Sequence, residues 1–419
     1  MKIVVASCCC SREQNEKLFS LRKKAMIIPS QKFMDMVLRG MAAQNDVEIE
    51  NVCVRAVSAK TSDIRKWNHE SELSEDGKIR YEYIPFTNGK YSRFLTTMYH
   101  EYRYCMRIFR DAKRKKEDVI LLTDITIWNA AIPARHAARK CGIPCVSLVT
   151  DLPQYSNAKK NASGRGIVRR FFQNYLRKEL LSYDGYILLT EAMKDVVVQK
   201  NQPSVVTECM IDKEAIPADY FLEKQDKCVF LYAGGVYEKY GVKAFVEAFE
   251  KVADETMELQ LFGDGDFVET LQNFPERYPH TVYQGCVSPL KIVDYEKKAS
   301  VLVNPRPVSE EYTKYSFPSK TAEYMMTGRM ILSTPLPGIP KEYQPYILWF
   351  DGDSEDDYIR GILRAKNMTF EEREQIGRAG QKFCLQHKTK EAQGEKMVVL
   401  LRTVLEQHAW KRRKREKNE

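Results

Sequence analysis

Lys320 and Glu323 stand three residues apart near the end of NPRPVSEEYTKYSFPSKTAEYMMTG, residues 304–328, and the stretch has the make-up of an anion site. The apolar run ASVLVNP reads as a strand that passes into a polar loop. The loop delivers the chain to a helix predicted to open near Pro318, where a missing N–H costs nothing, and to close at Gly328, which suits a left-handed cap. The first turn of such a helix points free N–H groups and the positive end of its dipole beyond the strand ends, toward an anion and most naturally a phosphate. At a spacing of three, Lys320 and Glu323 project from one side of the helix. A cation for a diphosphate and a carboxylate for sugar hydroxyls then share one pocket.

Other strand ends carry chemistry as well. In LYAGGVYEKYGVKAFVEAF, Gly234 and Gly235 carry no Cβ and let backbone approach a ligand, and Gly241 opens a helix. Lys239 and Arg306 are the cations within reach of that turn, and Gly263 begins GDGDF, a loop after another strand. In LVTDLPQY, Asp151 sits where a buried strand meets its loop, the position α/β sheets use for functional groups. It can orient an acceptor hydroxyl or act as a base toward it, or else simply cap a helix. Asp124 in LLTDIT carries less weight, and His100, His136 and His280 read as structural or solvent-facing.

The elements that position these residues alternate. KIVVASC, VEIENVCV, DVILLTD, CVSLVT and GYILLT read as strands in the first half, with helices near 30–44, 92–116, 127–141 and 165–182. KCVFLYAGG restarts the alternation, followed by KAFVEAFEKVA, MELQLFGDG, TVYQG, SVLVNP and MILSTP. This is the pattern of parallel sheets built from βαβ units, and the fold class is α/β with two doubly wound domains whose strand C-termini face a cleft. The expected domains are 1–215, 216–388 and a final helix with a basic tail, 389–419, crossing back.

The stretch around Glu323 resembles the nucleotide-sugar site of the retaining, family-four glycosyltransferases of GT-B architecture (glycosyl transferases group 1), which carry a similar SKxxEYMxxGxxxI pattern. In that family a glutamate at the position of Glu323 binds the donor ribose. The resemblance implies a donor site of Gly234, Gly235, Lys239, Gly263, Tyr315, Ser316, Phe317, Ser319 and Glu323. Lys320 and Arg306 would stabilise the leaving diphosphate, and Asp151 would face the acceptor. Two departures stand out. The family's earlier glutamate, near the transferred sugar, is here Tyr315, with Glu310 and Glu311 as its possible replacements. Where many members place an Arg and a Lys for the diphosphate, this chain has Gly235 and Tyr240, which leaves that charge to Lys239, Arg306 and Lys320. The implied co-substrate is a nucleotide-diphosphate sugar, with no metal and no other cofactor, and the implied setting is bacterial surface-polysaccharide synthesis.

Composition agrees. The 419 residues suffice for two or three domains. No run reaches the roughly 18 apolar residues of a membrane span, and MKIVVASCCCSREQNEKL reads as a first buried strand rather than a secretory signal. Eleven cysteines without CxxC or Cys/His ligand spacing read as reduced thiols of a cytoplasmic protein. Residues 1–220 hold 36 Lys+Arg against 26 Asp+Glu, whereas residues 221–400 hold 23 against 28. The basic face therefore belongs to the first half and the tail. YHEYRYCMRIFRDAKRKK and RGIVRRFFQNYLRKELL interleave basic and apolar side chains at helical spacing, as binding to an anionic membrane surface requires. Arg169, Arg170, Phe171, Phe172 and Arg177 form the candidate membrane and acceptor face. No nucleic-acid-binding motif accompanies them. The expectation is a glycosyltransferase acting on a lipid-linked or other membrane-associated saccharide at the inner face of the plasma membrane. A non-catalytic subunit with the same fold is the alternative, and a nicotinamide-dependent oxidoreductase is disfavoured because SCCCSRE stands where a GxGxxG is needed.

Overall fold

Among the described residues the first half of the chain lays down ten short strands: β1 Lys2–Ser7, β2 Glu48–Cys53, β3 Lys66–Trp67, β4 Glu70–Leu73, β5 Ile79–Tyr83, β6 Phe86–Thr87, β7 Val119–Asp124, β8 Cys145–Val149, β9 Gly185–Leu188 and β10 Ser204–Val206. Eight form one sheet in the order β10-β9-β8-β7-β1-β2-β5-β4, and β3 pairs with β6. The computed structural model describes residues 1–21, 29–57, 61–89, 91–153, 166–199, 201–215, 224, 226–309 and 311–416. All pairings in the large sheet are parallel except β4 with β5. Ile3 stands opposite Ile49 on one side and Ile120 on the other. Such strands are covered on both faces, which is why β7 and β8 are buried at every position and read as continuous apolar runs.

The second half restarts with β11 Cys228–Ala233, β12 Met257–Phe262, β13 Thr281–Gly285, β14 Val301–Asn304, β15 Met330–Ser333 and β16 Leu348–Trp349. They form a parallel sheet in the order β13-β12-β11-β14-β15-β16. The helix Val242–Val252 buries Phe245, Val246 and Phe249 on it, and Phe230, Leu259, Val301 and Leu332 supply strand side chains to the same core.

The chain divides into two compact units, Met1–Met210 with Lys390–Glu419, and Ile211–Thr389. The C-terminal segment, expected as a piece of its own, thus belongs to the first unit. Its helix, Lys390–Glu416, lies on the helix Pro29–Ala42. The backbones meet closely there: a Cβ on Gly394 would fall 2.1 Å from the Gly40 carbonyl oxygen. Met397, Leu401 and Val404 join Val37, Leu38 and Met41 in the core.

Several segments lie outside the sequence reading, two of them beside β1 and at the edge of its sheet. The helix Arg12–Ser20 follows β1, capped by Ser11, whose side chain accepts from the Gln14 N–H. The antiparallel β4 edge, ESEL, is polar and half-exposed, so no apolar pattern marked it. Among the described residues no helix is long and apolar enough to cross a membrane.

Candidate functional site

The parallel register of the second sheet carries the ends of β11, β12 and β14 to one edge, and the loops that follow them hold most of the predicted donor residues. After β11 come Gly234 and Gly235. A Cβ on Gly235 would lie 2.7 Å from the Tyr237 ring and 3.1 Å from that of Tyr240. After β12, Gly263 takes φ +126°, and a Cβ there would fall 1.8 Å from the Gly234 carbonyl oxygen. Gly263 admits no side chain, so the two loops lie backbone to backbone there, while at Gly235 the two tyrosine rings of its own loop take the space. Tyr232 donates to the Gly235 carbonyl at 2.9 Å and Tyr283 to the Gly263 carbonyl at 2.8 Å, fixing both turns.

The loop after β14 begins with Pro305 and leads through a turn of 3₁₀ helix, Glu311–Tyr315, to the helix Ser319–Met326. Pro318 serves as the cap with an extended ψ of 109°, so the helix begins one residue later than a proline in the first turn would place it. Pro318 itself makes no side-chain cap hydrogen bond to this N-terminus. The helix ends before Gly328, whose φ of +65° is the left-handed conformation expected of it. Inside the helix Tyr324 is fully buried, and its hydroxyl accepts from the Ala233 N–H at 2.9 Å, which ties the helix to the end of β11.

Lys320 and Glu323 do share one side of this helix. Their charged atoms are 2.8 Å apart, and Lys320 Nζ also lies 4.0 Å from Oε1 of Glu296, a residue only 2% exposed on the helix Pro289–Lys298. Sequence reasoning missed Glu296. Its position in a helix before β14 carries no motif, and only the fold brings it to Lys320. Phe317 is buried against the Tyr343 ring at 5.5 Å and anchors the loop, whereas Tyr315, Ser316 and Ser319 are at most half-buried along it. Glu311 is exposed at the start of the 3₁₀ turn, and Glu310 lies outside the described residues.

Arg306 and Lys239 converge on one aromatic ring. The Arg306 guanidinium carbon sits 4.8 Å from the centre of the Tyr240 ring and the Lys239 ammonium 5.1 Å from it. All the donor residues expected from the sequence therefore fall within the second unit, on or beside the loops at this sheet edge.

The first unit holds the others. Asp151 is exposed in the bend after β8, and the loop beyond it, 154–165, lies outside the described residues. Partial burial first, and the nearby Asp124 second, raise the Asp151 carboxyl above its ordinary range. Asp124 itself is buried. It accepts from the Thr126 N–H at 2.8 Å and from the hydroxyls of Thr126 and Thr150 at 2.6 and 2.7 Å, so it holds the two strand ends rather than facing solvent. His280 bonds Glu250 at 3.0 Å. Among the described residues no three His, Cys, Asp or Glu side chains gather as a metal site.

The helix Gly166–Leu180 exposes Arg170, Phe171 and Arg177. Phe172 turns toward Trp128 at 5.1 Å, and Trp128 meets Phe94 at 4.7 Å. Leu95 and Tyr99, 65% and 55% exposed, extend this surface along the helix Ser92–Lys115. Of Arg169 the backbone alone is described, within the first turn of its helix. Phe94 and Trp128 were not foreseen, because the two helices are far apart in sequence.

Comparison with known proteins places these features in context. Residues 227–366 match the sequence profile of the family "Glycosyl transferases group 1". The "Putative teichuronic acid biosynthesis glycosyltransferase TuaH" of Bacillus subtilis (strain 168) is 26% identical over 148 residues. That match spans 34% of this chain and 36% of the relative, so the chain matches little over a third of that protein's length. Sucrose-phosphate synthase from Thermosynechococcus elongatus has a TM-score of 0.63 at 14% identity, over 96% of this chain and 99% of that one. The structure described as "Trehalose-6-phosphate from E. coli bound with UDP-2-fluoro glucose" has a TM-score of 0.61 at 10% identity, over the same shares. At these identities the likeness establishes the fold: two Rossmann-like units, the GT-B architecture.

Proposed function

We propose that the chain is a retaining glycosyltransferase that moves a sugar from a nucleotide-diphosphate donor to a membrane-associated saccharide acceptor in cell-surface polysaccharide synthesis. One observation carries the reading. Within the stretch that matches group 1 glycosyltransferases, a single sheet edge gathers a helix N-terminus to which Pro318 makes no side-chain cap hydrogen bond, the Lys320–Glu323 pair, and the two cations on Tyr240. A helix N-terminus with fixed cations stabilises the charge that develops on a departing diphosphate, and a carboxylate beside it accepts from ribose hydroxyls. The UDP-sugar named for a structure of the same fold supports the donor class, and the relative named for teichuronic acid synthesis supports the product class. Lys320, Arg306 and the helix N–H groups do the work usually asked of a cation, so no metal is needed in this reading. Asp151, at the strand end of the first unit, orients the acceptor hydroxyl or takes its proton. The exposed arginine-and-aromatic face bearing Arg170, Phe171 and Arg177 holds the acceptor's membrane at the cytoplasmic side.

The test is a thermal-shift screen against UDP, GDP, ADP and CDP, since a ligand that binds only the folded chain raises its melting temperature by mass action. With the base identified, Glu323→Gln weakens nucleotide binding by about 1.5–3 kcal/mol, the range for hydrogen bonds to a charged group, while folding changes little. Unchanged calorimetric affinity for every nucleotide bound by the wild type removes Glu323 from the site.

Tyr315 favours a second reading, a non-catalytic subunit that keeps the fold and part of the site. It stands at the end of the 3₁₀ turn where the resemblance calls for a carboxylate. Nucleotide binding without turnover of any nucleotide sugar, alone or with membranes, is its signature.

A further inference from the structure

Tyr240 stands where the resemblance calls for a cation, and in the structure it is the centre of two. The approach is built by backbone. Gly241 takes φ +77°, and a Cβ there would fall 2.1 Å from the Pro305 carbonyl oxygen, so the loop after β11 lies directly on the loop after β14. The hydroxyl of buried Tyr358 donates to that same carbonyl at 2.8 Å and holds the junction. This brings the Tyr240 ring beside Arg306, while Lys239, one residue earlier, turns back over the same ring and over Tyr237 at 5.3 Å. The Arg306 backbone is held too, its carbonyl accepting from the Thr334 hydroxyl at 2.5 Å. Arg306 Nε is buried and has no hydrogen-bond partner among the described residues. Two like charges within reach of one ring repel each other in the absence of an anion, and the electron-rich ring face offsets part of that repulsion for both.

We infer that Tyr240 is a positioning residue that holds Lys239 and Arg306 as a preset pair for the second phosphate of a nucleoside diphosphate. The inference rests on the donor reading above and adds to it how this chain replaces the cation absent at Tyr240's own position. The aromatic face does this work and the hydroxyl does not. Phenylalanine therefore serves as well as tyrosine, and leucine, similar in bulk but without a π face, does not.

The experiment measures, by calorimetry on the full chain, the affinities of UDP, GDP, ADP and CDP and of the matching monophosphates, for the wild type, Tyr240→Phe and Tyr240→Leu. For the base that binds, the wild type prefers diphosphate to monophosphate by about tenfold, the scale of one charge-assisted contact. Tyr240→Phe keeps that ratio within about twofold, and Tyr240→Leu brings it close to one with the monophosphate affinity unchanged. A general disturbance of the fold weakens both nucleotides alike and leaves the ratio standing, which overturns the inference. An unchanged ratio with unchanged affinities in Tyr240→Leu also overturns it, and the donor reading then survives. If the wild type binds none of the nucleotides, the donor reading fails and the inference falls with it.

Discussion

Lys320→Ala and Arg306→Ala each lower kcat by about 10²–10³, the usual effect of removing one fixed charge-stabilising donor, with a much smaller change in donor KM. The asymmetry follows from where charge grows. As the bond between sugar and diphosphate breaks, negative charge accumulates on the leaving phosphates, so a cation beside them is worth more in the transition state than in the bound donor. The two variants differ in one respect. Removing Lys320 also strips a cation from Glu323 and from the buried Glu296, so its melting temperature falls as well, whereas Arg306→Ala loses its ring contact and keeps its backbone hydrogen bond. Steady-state kinetics with the donor saturated decide the matter. A variant with full kcat and only a raised KM binds the ground state and contributes nothing specific to the transition state.

Reversing Arg169, Arg170 and Arg177 to Glu abolishes sedimentation with anionic vesicles. Each basic side chain near such a surface contributes about 1 kcal/mol, and a reversed charge repels by a similar amount, so three reversals remove roughly 6 kcal/mol, about four decades of partitioning. Wild-type binding fades as salt rises, because exposed charges are screened beyond about 10 Å at 0.1 M ionic strength. Transfer to a short soluble acceptor survives, since the donor residues all lie in the second unit. Equal sedimentation of wild type and triple variant leaves the arginines as a solvated face and removes the membrane from the proposal.

The sequence made the fold legible where local pattern and burial agree. β1, β7 and β8 were visible as apolar runs because both of their faces are covered, and the helix Ser319–Met326 because glycine and proline bracket it. The helix Arg12–Ser20, with mostly charged and polar residues, and the polar β4 carried no such signal. The site divides in the same way. Lys320 and Glu323 are one turn apart, so their pairing could be read from spacing alone. Glu296 at Lys320, Arg306 on Tyr240, and the Phe94–Trp128–Phe172 stack each join segments that meet only through the sheets, and no spacing rule reaches them. Asp124 shows the converse. Its place at a strand end was legible, but its engagement by Thr126 and Thr150 depends on two strands being neighbours.

The helix Lys390–Glu416 belongs to the first unit, although the whole second unit is translated before it. During synthesis the second unit can therefore reach its final core as soon as Thr389 leaves the ribosome, while the first, made earlier, waits with the groove around Gly40, Val37 and Met41 uncovered. The order of completion is the reverse of the order of emergence. Until Met397, Leu401 and Val404 arrive, the nascent chain carries an apolar surface that chaperones recognise, and a chain stalled before them keeps it.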